Sequence, residues 1–382
     1  MIVRDILGKL VSFPTVSRDS NLALIDWVED WLKAQGVLTG RVPNADGTKA
    51  SLWAHIGPME PGGVILNGHT DVVPVEGQTW TSDPWTLSER DGRLYGRGTC
   101  DMKGFLALAM AAIPLAKQGN LKKPLQLAFS HDEEVGCMMA VPLIEAMAHL
   151  PKAESVIVGE PSMMGCITGH KGGLNFAISV KGHPVHSSMM HTGVSAVMEA
   201  AKLITWANDQ NARLMAEKPT TLAALFDPPW TNVHVGVIQG GTAQNITAQH
   251  CAFDIGFRFV AGDDPEEWRT LLFAEIAKID AGMKAIHPDA GMVAHERFSV
   301  NGLKPEEDGA AERLVRALTG DNQQRVVSYG TEAGHFQAAG YSTVVCGPGD
   351  IAQAHQADEF VSIAQLESGW AFMERLVETL RD

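Results

Sequence analysis

Cysteine is scarce in this chain and falls into no pattern. Cys100, Cys137, Cys166, Cys251 and Cys346 are odd in number and scattered, and none forms a C-x-x-C pair. A complete disulfide framework and a zinc ribbon are therefore both excluded, and a reduced setting is the simplest. Positive charge is also short: 30 Lys and Arg face 45 Asp and Glu, for a formal net charge of -15. Nucleic-acid binding needs clustered cations against phosphate, so no nucleic-acid partner is expected. No apolar run approaches the length of a membrane span. Met1-Ile2-Val3-Arg4-Asp5 places charge where a signal peptide needs its apolar core, which predicts a cytoplasmic protein with no membrane partner. Internal repeats and low-complexity tracts are absent too.

What is present is a chain of 382 residues, 45% hydrophobic and 20% charged, long enough for two domains. Its most informative stretch is Ser130-His131-Asp132-Glu133-Glu134-Val135-Gly136-Cys137, directly after the apolar run Leu125–Phe129. Adjacent carboxylates at a strand's end repel each other, and packing alone gives no reason to put them there. A cation removes the repulsion, and a carboxylate left out of coordination beside it is a ready general base. One isolated Asp-Glu-Glu reads better as a solvated acidic turn, but here the arrangement recurs. The apolar run Val64–Leu66 leads to His69 and Asp71, Ser155–Val158 leads to Glu160, and Thr343–Cys346 precedes His355. Asp101 opens the apolar helix Phe105–Leu115. Sites in α/β sheets form outside the carboxyl ends of strands, where all of these fall. Two His and three carboxylates suit zinc, cobalt or manganese.

From Leu174 the texture changes. Asn175–Val180, Val233–Ile238 and Phe253–Phe259 alternate as half-exposed strands, with helices predicted over 194–208 and 265–281. The α/β texture returns after His287-Pro288. The expected fold is an α/β metal-binding catalytic domain interrupted by an inserted α+β domain, with boundaries at 1–173, 174–288 and 289–382.

These motifs, in this order, resemble the di-zinc metallopeptidase and deacylase family that includes acetylornithine deacetylase, succinyl-diaminopimelate desuccinylase, aminoacylase and glutamate carboxypeptidases. The resemblance covers nearly the whole chain. It implies two divalent metal ions, zinc or alternatively cobalt, with His69 and Glu160 on one, Glu134 and His355 on the other, and Asp101 bridging. Asp71 is then expected to orient His69, and Glu133 to be the general base. The inserted domain is implied to act as a lid and a homodimer interface. Its His186 would stabilise the oxyanion in a partner subunit's site, while Asn245 and Arg258 bind the substrate carboxylate. Gly330, Thr331 and Glu332 match a glycine loop lining the substrate, with Glu332 the candidate for a distal ammonium. Asp358 departs from the Asn of many relatives, at a position that is not a ligand.

Tyr329–Gly334, Gly169-His170-Lys171-Gly172 and Asp132–Cys137 look like the acetylornithine group. The implied reaction is amide hydrolysis of an N-acyl amino acid, N-acetylornithine giving ornithine and acetate as in arginine biosynthesis. A desuccinylase, a dipeptidase or carboxypeptidase, and an inactive metal-binding sensor are the alternatives. The sensor would be expected to lack the base or a ligand, and none is missing.

Overall fold

Continuous apolar runs, without alternation, make strands that are covered on both faces. In the computed structural model, which describes residues 2–382, four such runs become Val64–His69, Leu125–Ser130, Ser155–Pro161 and Ser342–Gly347. The first three are buried along their whole length and the fourth at all but its first residue. They sit together in an eight-stranded sheet, in the order 125–130, 64–69, 155–161, 342–347. Every junction among the four is parallel. Their carboxyl ends therefore share one edge, which brings residues far apart in sequence to one place. Strands 50–56 and 38–43 extend the sheet antiparallel on one side.

This sheet belongs to a unit formed by the chain up to Gly169, Leu303–Val326 and Thr331–Asp382. Its core includes the apolar faces of helices Ile2–Val11, Leu22–Ala34, Lys103–Lys117 and Ile363–Thr379. Helix 103–117 is buried nearly all round, as its run of Ala, Leu, Met and Ile predicts. Two glycines let the strands pass beneath its first turns. A Cβ on Gly159 would lie 2.0 Å from the Phe105 ring, and one on Gly68 would lie 2.6 Å from Met102. Each glycine directly precedes a residue of the strand-end cluster, Glu160 or His69.

The second unit, His170–Gly302 with Val327–Gly330, is built on a four-stranded antiparallel sheet. Its order is Asn232–Gly240, His250–Phe259, Gly172–Lys181, Gly291–Val300. Burial alternates along 250–259, and Phe253, Ile255, Phe257 and Phe259 turn inward with Phe176 and Ile178. Helices Ala196–Ala216 and Pro265–Ile286 supply Leu203, Leu272, Ile276 and Met283 to the same core.

The expected return to the first domain at 289 is corrected to Leu303. Strand 291–300 pairs along its length with 172–181, so it completes the inserted sheet. The run His295-Glu296-Arg297 is too polar to announce a strand before its partner is known. At the front boundary the division falls after Gly169 rather than Gly173.

Candidate metal centre

The shared strand edge assembles two triads around one carboxylate. His69 Nε2 lies 3.0 Å from Asp101 Oδ1 and 3.6 Å from Glu160 Oε1. His355 Nε2 lies 3.2 Å from Asp101 Oδ2 and 3.0 Å from Glu134 Oε2. Within each triad the candidate ligand atoms all lie within 4.8 Å of one another. Asp101 thus offers one oxygen to each side. Asp101, Glu134 and Glu160 side chains are 5–7% exposed and His69 is 1% exposed, whereas His355 is 53% exposed.

The charge balance shows what the arrangement suits. Burial and the neighbouring carboxylates push Glu134 up to about 7 and hold Glu160 well above the usual range. Hydrogen bonds to Asp101 and Glu134 raise His355 to about 10. Burial alone would raise Asp101, but its two imidazole partners hold it well below the usual range. The protein alone balances these carboxylates only by protonation, and Glu134 Oε1 is buried with no partner. Divalent cations of borderline softness fit this donor set of imidazole nitrogen and carboxylate oxygen.

Glu133 stands beside the triads and belongs to neither. Burial, then the charges of Glu134 and Glu332 acting against that of His69, push its carboxyl up to about 8. Cys137 donates its thiol to Glu133 Oε1 at 3.3 Å. The local turn is tight: the Gly136 and Cys137 N–H groups both donate to the Glu133 carbonyl at 2.9 Å, and Asp132 and Cys137 have positive φ.

Asp71 meets His69 through its backbone rather than its side chain. His69 Nδ1 is 2.9 Å from the backbone carbonyl of Asp71, while the Asp71 carboxylate lies 3.6 Å away. The carbonyl therefore sets the His69 tautomer, leaving Nε2 toward the triad. The carboxylate accepts from Ser17 Oγ at 2.7 Å and from the N–H groups of Glu133 and Glu134 at 3.3 Å each. It anchors the loop that carries both glutamates.

Glu332 is tied into the sheet through one of its oxygens. Its side chain is buried, and Oε2 accepts from Asn67 Nδ2 and Ser130 Oγ, both at 2.8 Å. It cross-links the strands that end in His69 and Ser130, while Oε1 is buried without a hydrogen-bond partner. Thr331 is buried beside it and accepts the Ala333 N–H at 3.1 Å.

His186, Asn245, Arg258 and Gly330 lie in the second unit. His186 is exposed, hydrogen-bonded to Ser188 Oγ at 2.8 Å, and its chain segment pairs with Ile246. Ser187 N–H donates to the Asn245 carbonyl at 2.9 Å, so His186 and Asn245 share one corner. Arg258 projects from the exposed face of strand 250–259, with Nη1 3.7 Å from where a Gly330 Cβ would sit.

Sequence reasoning passed over Ser17, Arg97 and Glu359. Ser17 carries no motif, and 54 positions separate it from its partner Asp71. Arg97 and Glu359 are each 1% exposed and paired at 2.6 Å, but 262 positions separate them, and no local pattern marks such a pair.

Two imidazoles and a set of buried carboxylates gathered beside one parallel-sheet edge form a site that could hold metal ions, of the kind hydrolases use. The chain belongs to peptidase family M20/M25/M40, whose model matches residues 65–379. It is similar to the acetylornithine deacetylase of Myxococcus xanthus, with 35% identity over 98% of this chain and 96% of that one. The acetylornithine deacetylase of Proteus mirabilis is 33% identical over 98% and 95%. Among solved structures, an M20 family metallo-carboxypeptidase from Sulfolobus solfataricus superposes with a TM-score of 0.79 at 18% identity, covering 99% of both chains. A dinuclear metal binding peptidase from Bacillus subtilis gives 0.60 at 15%, covering 99% and 97%. Those structures support the fold, an α/β domain with an inserted α+β domain. Among the described residues no helix is long and apolar enough to cross a membrane.

Proposed function

We propose that the chain hydrolyses the amide bond of an N-acyl amino acid, with N-acetylornithine as its substrate, yielding ornithine and acetate. The observation that carries this reading is the pair of triads sharing Asp101, with the uncoordinated Glu133 beside them. The full-length similarity to acetylornithine deacetylases supports the choice of substrate.

His69 and Glu160 would hold one zinc ion, Glu134 and His355 the other, and Asp101 both. Bound there, the metals would supply Lewis-acid polarisation of the scissile carbonyl and lower the cost of ionising water. The remaining work belongs to the chain. Glu133 takes a proton from the attacking water as oxygen adds to the carbonyl carbon. It returns that proton to the nitrogen as the C–N bond breaks. Its raised proton affinity suits both halves of the task. Asp71 keeps the base in place through the Glu133 N–H. Arg258 and Asn245 would bind the α-carboxylate, for which a guanidinium fork is well matched.

Homodimerisation through the inserted unit belongs to the same proposal, with His186 serving the partner's site. Exposed Met189, Met190, Val197, Met198, Val237 and Ile238 in that unit support an apolar interface. A panel of N-acetyl, N-succinyl and dipeptide substrates on zinc-loaded protein tests the reading. The highest kcat/KM should fall on N-acetylornithine; a dipeptide turned over faster would move the chain to the peptidases.

A further inference from the structure

We propose that the buried Arg97–Glu359 pair aims the shared carboxylate of Asp101 at both metal positions, which makes both residues positioning residues for the centre. The inference rests on the reading of that centre as dinuclear.

Glu359 spends both carboxylate oxygens on the loop that presents Asp101. Oε1 accepts the N–H of Cys100 at 2.9 Å and that of Asp101 at 3.0 Å. Oε2 accepts the Gly98 N–H at 3.1 Å and Arg97 Nη1 at 2.6 Å. In return, the Gly96 N–H donates to the Glu359 carbonyl at 3.0 Å. A short antiparallel pairing places the two segments side by side, because Phe360 pairs with Tyr95 and Val361 with Leu94. The backbone from which Asp101 projects is thus clamped by one side chain.

Arg97 carries the same clamp to the other ligands. Its Nη2 donates to Gln78 Oε1 at 2.5 Å and to the Pro74 carbonyl at 3.3 Å. Its Nη1 also reaches the Gln356 carbonyl at 3.3 Å, and Gln78 Nε2 donates to the His355 carbonyl at 2.8 Å. Trp80 covers the guanidinium, with its ring centroid 5.1 Å away. One planar cation therefore joins the segment after Asp71, the Asp101 loop and the His355 segment. A fully buried ion pair is rarely retained for stability, since apolar replacements do as well. Its value here is geometric. Lys has no fork that could serve three segments at once.

Asp101 is the member common to both triads, whereas His355 belongs to one. A loosened Asp101 loop should therefore weaken both metal positions together, which a general loss of stability does not do to folded protein. Metal-free full-length protein would be titrated with Co(II), following heat and visible absorption, for the parent, Glu359→Gln and His355→Ala. Glu359→Gln is expected to weaken both binding steps by about 10- to 100-fold and to alter the visible bands, whereas His355→Ala weakens one step. Parent affinity at both steps with the parent spectrum, or weakening of one step alone, would overturn the inference. If Glu359→Gln does not fold, Arg97→Lys is measured the same way, and unaltered binding there overturns it equally. A parent chain that binds fewer than two Co(II) ions would instead sink the dinuclear reading itself.

Discussion

The Cys137 thiol donates to Glu133 Oε1 across 3.3 Å, so the proposed base is held by the weakest of the common side-chain donors. A strong donor would fix the carboxylate better but would also make it a poorer proton acceptor. Cys137→Ala should leave KM near the parent value and lower kcat by about 2- to 10-fold, the equivalent of one modest hydrogen bond. Cys137→Ser should recover part of that loss. Steady-state kinetics on the three proteins decide it, and equal kcat values would reduce the contact to packing.

Glu133 and Glu134 are neighbours in sequence, yet only Glu134 enters a triad. Glu133→Ala is expected to keep both metal ions and lose at least about 100-fold in kcat, the low end for removal of a general base. Glu134→Ala should lose metal occupancy, read by elemental analysis after gel filtration. Swapped phenotypes would reverse the assignment.

The metal-free protein should become less stable as pH rises. Burial and neighbouring carboxylates raise Glu134 to about 7 and Glu133 to about 8, from 4.5 in the unfolded chain. At this centre the folded state therefore holds more protons than the unfolded state between about pH 4.5 and 8, and the centre's contribution to stability falls across that window. His355, raised from 6.5 to about 10, acts in the same direction: its contribution is full below 6.5 and lost as pH rises through about 10. The melting temperature of chelated protein should be higher at pH 5.5 than at pH 8.5. Loading with zinc at pH 7 should release protons, counted by calorimetry in two buffers of different ionisation heat. A flat profile together with no proton release would refute the charge balance described for the centre.

Much of this centre was legible because the relevant residues sit next to strong local signals. His69, Glu134 and Glu160 follow apolar runs that have few alternatives to buried strands, and a parallel sheet puts such ends on one edge. Strand 291–300 was not legible, because its half-exposed residues have meaning only once 172–181 lies beside them. The burial of Glu332 was not legible for a related reason. Its glycine-rich surroundings suggest an open loop, but its partners Asn67 and Ser130 come from strands about 200 or more positions earlier. Which atom of Asp71 meets His69 was not legible either, since sequence cannot distinguish its carbonyl from its carboxylate as the partner.

Gly159 tests whether strand and helix must approach as closely as they do. A methyl group there would meet Phe105 at 2.0 Å, a distance no side-chain contact tolerates. Gly159→Ala should cost about 1–3 kcal/mol or more by overpacking, measured as a lower urea midpoint. Because Glu160 is the next residue, zinc affinity should fall as well. Parent stability in this variant would mean that the helix shifts freely, and that the ligand edge is softer than described.

Recognition of the substrate's carboxylate is the last expectation, and it separates Arg258 from the machinery of bond cleavage. Both N-acetylornithine and N-acetylmethionine carry an α-carboxylate, whereas an N-acetylated alkylamine does not. A guanidinium paired with that group contributes roughly 1.5–3 kcal/mol, or about 10- to 150-fold in kcat/KM. Arg258→Ala should therefore depress both acetylamino acids by similar factors and leave the slow hydrolysis of the acetylalkylamine nearly unchanged. Arg258 is exposed on strand 250–259, so its truncation is not expected to disturb the core formed by Phe253, Ile255 and Phe257. Steady-state kcat/KM for the two proteins on the three substrates gives the answer. Equal losses on all three would place the effect on the strand's structure, and no loss on any would assign the carboxylate to another group.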